Sequence, residues 1–198
     1  FGILGVLPAP RRQAAPHPED PVLTSPDHLL VERRGATVVL SLNRPERRNA
    51  LGAALVADLG DAVRRADADP SVRVLVLTAT GDTFCPGLDL HELRDELASA
   101  PLGEGEERIW ALGAAGDELL DTIYWCATPT VAAVAGEAAG NGAGLPSVCD
   151  IVVCSRSARV GYPEVRTGVQ LTQIVLHVVR LVGERRARRL LLGGEMLS

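Results

Sequence analysis

Two glycine-rich loops and one carboxylate carry most of the chemical information in this chain of 198 residues. The first loop, Phe84-Cys85-Pro86-Gly87-Leu88-Asp89-Leu90, follows an apolar run over 72–78. The second, Gly136-Glu137-Ala138-Ala139-Gly140-Asn141-Gly142-Ala143-Gly144, follows another over 131–135. The carboxylate is Glu164, in Gly161-Tyr162-Pro163-Glu164. In the loops it is the main chain that matters. Leu88 follows Gly87, which lets the chain turn sharply. Asn141 precedes a short helix, where N–H groups lack intrahelical acceptors and the dipole is positive. Two such amides aimed at one point would hold a developing oxyanion. An acid beside them would move protons at the neighbouring carbon. The combination points to chemistry on a thioester enolate.

Taken singly, each feature has a plainer reading. Either loop alone is an ordinary turn, and Glu164 alone is an exposed surface glutamate. Glu137, inside the second loop, is a further candidate acid with a still stronger claim to be mere surface. It is the pairing of two loops, each leaving a buried strand, that favours a site. Other chemistries are excluded more firmly. Gly140-Asn141-Gly142-Ala143-Gly144 has the wrong spacing for a dinucleotide fingerprint, and no Lys-Ser/Thr follows it as in a phosphate-binding loop. There is no Gly-x-Ser-x-Gly nucleophile elbow. All twenty basic residues are arginine, so no lysine can form a Schiff base. His17, His28, His91 and His177 are scattered, Cys85, Cys126, Cys149 and Cys154 lack zinc spacing, and no metal site is expected. The cysteines read as reduced core residues of a cytoplasmic protein.

The elements that must position these residues follow from periodicity. Segments 29–33 and 37–42 flank Arg34-Gly35 and read as a hairpin, with Val38, Leu40 and Leu42 on one face. From Asn49, a plausible helix cap by residue type, Leu51, Leu55, Leu59 and Val63 mark a helix ended by Asp69-Pro70. The run 72–78 is apolar on both faces and is expected to be a central strand covered on both sides. The stretch 94–107 is polar and glycine-broken. A helix is expected over 108–126, with Ile109, Leu112, Leu119 and Ile123 inward. Then come a buried strand at 131–135, a short helix at 142–149, a strand at 151–155, and a helix over 170–181 burying Ile174, Val175, Val178 and Leu181. A last helix starts near Glu184. Pro146 is expected near the first turn of its helix, where a missing N–H costs little. Strand, strand, helix recurs about three times, which describes an α/β spiral.

Residues 1–27 hold six of the thirteen prolines and read as an extended or disordered arm ahead of a core over 28–198. The chain begins with Phe, as a processed product or a fragment would. Net charge is −5 and only six residues are aromatic, so a nucleic-acid partner is not expected. Arg185-Arg186-Ala187-Arg188-Arg189 reads as a solvated helix face. No apolar stretch reaches the roughly 18 residues of a membrane span.

Four segments in order resemble the crotonase superfamily, also called the enoyl-CoA hydratase/isomerase family. They are Asn43-Arg44-Pro45 with Asn49-Ala50-Leu51; the first loop; Ala132 through Ile151; and Gly161-Tyr162-Pro163-Glu164-Val165-Arg166-Thr167-Gly168. The similarity runs from about His28 to the C-terminus. It implies a crotonase-like spiral of ββα units, usually assembled as a homotrimer or dimer of trimers. It implies an acyl-CoA thioester, with coenzyme A as part of the substrate and no covalently bound cofactor. The carbonyl oxygen would lie between the N–H groups of Leu88 and Asn141. Arg48, Ala50, Leu51, Pro86, Gly87, Asp89, Leu90, Gly140, Gly144 and Pro163 would line the substrate and CoA path. Arg47 and Arg48 could meet the phosphates as bidentate partners, or stand as exposed loop charges.

The chain departs from the family pattern in three ways. Where hydratases carry a glutamate, three residues after the second oxyanion donor, this chain has Gly144. The usual triple glycine is Gly140-Asn141-Gly142, so a side chain enters the loop. The chain stops before the family's C-terminal helices, roughly 60 residues short of the length expected of such a domain. One acid–base group fewer costs roughly 10²–10⁴-fold in rate. The resemblance therefore implies one-base, isomerase-like enolate chemistry through Glu164 rather than efficient hydration. The alternatives are a non-catalytic or incomplete acyl-CoA binder and a pathway-specific lyase or decarboxylase.

Overall fold

The computed structural model describes residues 22–23, 28–99, 101, 104–168 and 174–198. Most of the 1–27 extension lies outside them. Within it, Val22–Leu23 (β1) pairs antiparallel with Leu29–Arg34 (β2), so this part of the expected arm belongs to a sheet. β2 and Thr37–Leu42 (β3) form the hairpin, turning through Gly35 at φ 60°.

Three ββα units follow. Each sends its first strand to one sheet and its second, short strand to another. The first unit is Val74–Ala79 (β4), Thr83–Cys85 (β5) and two helices, Leu90–Ser99 (α2) and Gly105–Tyr124 (α3). The next is Thr130–Val134 (β6), Glu137–Ala139 (β7) and Asn141–Val148 (α4). The last is Ile151–Cys154 (β8), Arg159–Gly161 (β9), a 3₁₀ turn at Pro163–Arg166, Ile174–Val182 (α5) and Glu184–Gly193 (α6). The larger sheet has the order β1-β2-β3-β4-β6-β8. The smaller runs β10-β9-β7-β5, with Met196–Leu197 (β10) antiparallel to β9. Parallel pairing of β3, β4, β6 and β8, and of β5, β7 and β9, makes the spiral. Ala53–Ala68 (α1) connects β3 to β4.

Several local expectations change. Asn49 is no helix cap. It is fully buried at φ 62°, and its side chain accepts from the Arg44 N–H (2.7 Å) and donates to the carbonyls of Thr80 (2.8 Å) and Thr83 (2.7 Å). The α1 cap is Gly52, whose missing side chain admits Glu92; the Glu92 carboxylate accepts from the Ala53 N–H at 2.8 Å. The polar stretch from 94 contains the end of α2, which Asp89 starts by accepting from the N–H groups of His91 and Glu92. That cap outweighs the weak apolar pattern.

β4 is not evenly covered on both sides. Leu75 and Leu77 are buried, while Val74 and Val76 are half-buried. β6 alternates in the same way. Pro146 falls in the second turn of α4, not its first, so the helix forgoes the bond to the Gly142 carbonyl. On α5, Ile174 and Val178 are buried, but Val175 is half-buried and Leu181 is 60% exposed. Residues 170–173 of the helix expected there lie outside the described set. α6 buries Ala187 between exposed arginines, as a solvated face requires. Cys85 and Cys149 are core residues, whereas Cys126 is half-buried and Cys154 exposed on β8.

Candidate active site

The first loop is pinned by a parallel bridge. The Leu51 N–H donates to the Gly87 carbonyl (2.8 Å) and the Asp89 N–H to the Leu51 carbonyl (3.0 Å). Along extended backbone, alternate residues point their polar groups to opposite edges. The N–H of Leu88, between these two bonds, therefore faces away from Leu51.

The second loop meets the first backbone to backbone. A β-carbon on Gly87, at φ 105°, would stand 3.1 Å from the Ala139 carbonyl oxygen and 3.5 Å from the Asn141 nitrogen. One on Gly142 would overlap the Cys85 carbonyl. Only glycine allows this approach. Asn141 opens α4, and no backbone carbonyl among the described loop contacts accepts from its N–H or from that of Leu88. The Asn141 side chain does not crowd the loop. It turns toward α3, where Gly116 leaves it room, 3.6 Å from the position of a β-carbon there.

Glu164 reaches the same place from the third unit. Gly140 donates its N–H to the Gly161 carbonyl (2.9 Å) and adopts φ 54°, ψ −129°, and a β-carbon on it would overlap the Glu164 carboxylate. Pro163 starts the 3₁₀ turn that carries the acid. The Glu164 Oε2 is buried and has no hydrogen-bond partner among the described residues. Burial pushes its carboxyl above the ordinary glutamate range, against a smaller opposing effect of its own backbone N–H. An unpartnered carboxylate with raised basicity is what a general base needs.

A bond that the sequence reading did not foresee ties the segment before this acid to α4. Tyr162 is buried, and its hydroxyl lies 2.6 Å from that of Ser147 on α4, which also donates to the Ala143 carbonyl (2.8 Å). Burial raises the Tyr162 hydroxyl, Ser147 opposes that, and the Glu164 charge adds to it. No local pattern marks this pair, because its members are fifteen positions apart.

A model of the enoyl-CoA hydratase/isomerase family matches residues 32–198. The chain belongs to this family, within the crotonase superfamily. It is 38% identical over 173 residues to a putative enoyl-CoA hydratase of Thermus thermophilus, covering 83% of this chain and 63% of that protein. It is 34% identical over 174 residues to the 2,3-dehydroadipyl-CoA hydratase of Escherichia coli, covering 86% and 63%. A crystal structure of an enoyl-CoA hydratase/isomerase from Marinobacter aquaeolei superposes with a TM-score of 0.80 at 32% identity, covering 86% of this chain and 65% of that one. The chain thus spans less than two thirds of the length of these relatives.

Within this crotonase frame the other candidate residues divide. Asp89 is 2% exposed; Arg44 pairs with it at 3.1 Å. Burial pushes the Asp89 carboxyl up, but the Glu92 N–H, the charges of Arg44 and Arg47 and the His91 N–H hold it below its ordinary value. Its side chain braces the loop and faces no open path. Ala50 and Leu51 are buried, Pro86 is half-buried and Leu90 is 56% exposed. Arg48 is exposed and pairs with Glu137 at 3.0 Å. Gly144 is buried, and the space beside it is filled: a β-carbon there would stand 2.7 Å from Ile174 Cδ1 and 3.2 Å from a Leu120 methyl.

A cavity of about 540 Å³ opens between α1, α2 and α3, lined by Val56, Leu93, Leu97, Ile109, Leu112 and Leu119 among others. It lies on the face of α3 next to the one that carries Gly116 and Leu120. The Cys85 thiol, beside the first loop, is pushed up to about 12 by burial and is no nucleophile. Among the described residues no cluster of His, Cys, Asp and Glu could hold a metal, and no helix is long and apolar enough to cross a membrane.

Proposed function

We propose that this chain carries one-base enolate chemistry on an acyl-CoA thioester. The N–H groups of Leu88 and Asn141 hold the thioester oxygen, and Glu164 moves the proton. Glu164 takes a proton from the α-carbon of a β,γ-unsaturated thioester. The C–H electron pair moves onto the carbonyl oxygen, where the two amides stabilise it. It returns as the same carboxyl protonates the γ-carbon, leaving the double bond between the α- and β-carbons. No other reactant is consumed.

The observation that carries this reading is the Glu164 carboxylate resting on Gly140 at the start of α4, with one oxygen unpartnered. The apolar cavity between α1, α2 and α3 has the size of a small-molecule site and would suit an acyl chain. Arg47 and Arg48 would meet the CoA phosphates. Free thiols fit a reducing, cytoplasmic setting. A homotrimer or dimer of trimers is the assembly proposed where the family's C-terminal part is present, as in the resemblance.

The test is to offer 3-enoyl-CoA and 2-enoyl-CoA and follow products by mass spectrometry. Isomerisation lost in Glu164→Gln supports the reading, and isomerisation undiminished by that change removes Glu164 from it. A hydratase reading draws on the names of the relatives in Thermus and Escherichia coli. It would give 3-hydroxyacyl-CoA as the main product in the same assay.

A further inference from the structure

The lower part of the site carries a second relationship. Gly140 precedes α4 as its N-cap and Gly144 lies one turn on, joined to it by the bond from the Gly144 N–H to the Gly140 carbonyl (3.0 Å). At the first sits the Glu164 carboxylate. At the second sit Ile174 Cδ1 and the two Leu120 methyls, all within 3.3 Å of where a β-carbon would be. Both residues are fully buried, Ile174 at 1% and Leu120 at 2% exposure. They come from different helices: Leu120 follows Gly116 by one turn on α3, and Ile174 opens the described part of α5. Three helices thus converge to put hydrocarbon one turn from the base. On the same two helices His177 and Asp121 lie 3.8 Å apart, and burial holds His177 below its ordinary value.

We propose that Leu120 and Ile174 determine which reaction the site performs, by denying water and any second acid–base group the space beside the enolate. The inference rests on the reading of Glu164 as the base. Hydration needs a water oxygen placed to bond the β-carbon while a proton goes to the α-carbon. An apolar wall one turn from the residue against which Glu164 rests removes the place for that water, and the proton then returns from Glu164. A filled position beside Gly144 also means that a carboxylate introduced there alone has nowhere to go.

Two substitutions test this with little change of volume. Ile174→Val removes the Cδ1 methyl that faces Gly144 and frees roughly the 30 Å³ of one water. Ile174→Thr frees the same space and adds a hydroxyl to hold that water. The readout is the ratio of ¹⁸O-labelled 3-hydroxyacyl-CoA to isomerised enoyl-CoA formed in H₂¹⁸O. The expected order is Thr above Val above unaltered protein, with a rise of about tenfold or more for Thr, the scale on which positioning a reactant acts. If Ile174→Thr does not fold, Ile174→Val decides. A ratio unchanged across the variants overturns the proposal. Exchange of the substrate's α-hydrogen with D₂O in the unaltered protein keeps the two ideas apart. Exchange with a flat ratio removes the wall alone; no exchange removes the base reading, and the wall with it.

Discussion

The carboxylate of Glu164 lies in the space that a side chain on Gly140 would fill. The glycine is therefore required twice, for room and for a backbone at φ 54°, ψ −129°. Gly140→Ala should displace the acid and strain the loop. The strain is worth roughly 1–3 kcal/mol. Urea unfolding should show that loss, and turnover of 3-enoyl-CoA should fall with it. An Ala variant as active and as stable as the original protein would mean the contact is incidental.

The pH dependence follows from the same burial. Because the folded Glu164 carboxyl titrates above its ordinary value of 4.5, the acid limb of kcat/KM should lie above that of a free glutamate. The stability effect has a definite sign. A carboxyl raised on folding binds its proton more tightly in the folded state, so its favourable contribution is complete at low pH and is lost as pH rises through the folded value. Glu164→Gln should therefore stabilise the protein at pH 7 by thermal denaturation, the gain shrinking as pH falls through the raised folded value and gone below about 4.5. Its turnover should drop by roughly 10²–10⁴-fold. Destabilisation at pH 7 would contradict an uncompensated carboxylate.

Tyr162→Phe removes the 2.6 Å bond to Ser147 but leaves Ser147 its bond to the Ala143 carbonyl. No buried group loses its last partner, so the stability cost should be near 1 kcal/mol. The catalytic cost should appear in kcat more than in KM, because Tyr162, bonded to Ser147 on α4, holds the segment that carries Glu164. Steady-state kinetics on 3-enoyl-CoA separates the two.

Asn49→Ala has the opposite character. It strands the Arg44 N–H and the carbonyls of Thr80 and Thr83 and puts Ala at φ 62°. Each buried group left unpaired costs about 1–3 kcal/mol, so a total loss of about 3 kcal/mol or more is expected in denaturant titration. Asn49→Gly, which relieves only the backbone, should recover a minor part.

Much of the architecture is legible in the amino-acid order because it is local. The hairpin around Gly35 and the helix through Leu55, Leu59 and Val63 follow from periods of two and 3.6, and the strands β4 and β6 from short continuous apolar runs, that each segment carries in itself. The loops at Gly87 and Gly140 are legible too, since glycine records where backbone must turn or come close. The contacts across the spiral are not. Residue type made Asn49 look like a helix cap. Only the folded chain brings it to two carbonyls over thirty positions away, where a buried amide with three hydrogen bonds is better satisfied than at a helix end. The short strands β5, β7 and β9 have three residues each, too few for a period, and exist because they pair with one another.

Gly144 shows the division most sharply. The residue order alone establishes that no carboxylate stands at that position, since glycine has no side chain. That the vacated space holds Leu120 and Ile174 and not solvent depends on how α3, α4 and α5 pack. Packing is a property of surfaces brought together from distant parts of the chain, and no local pattern encodes it.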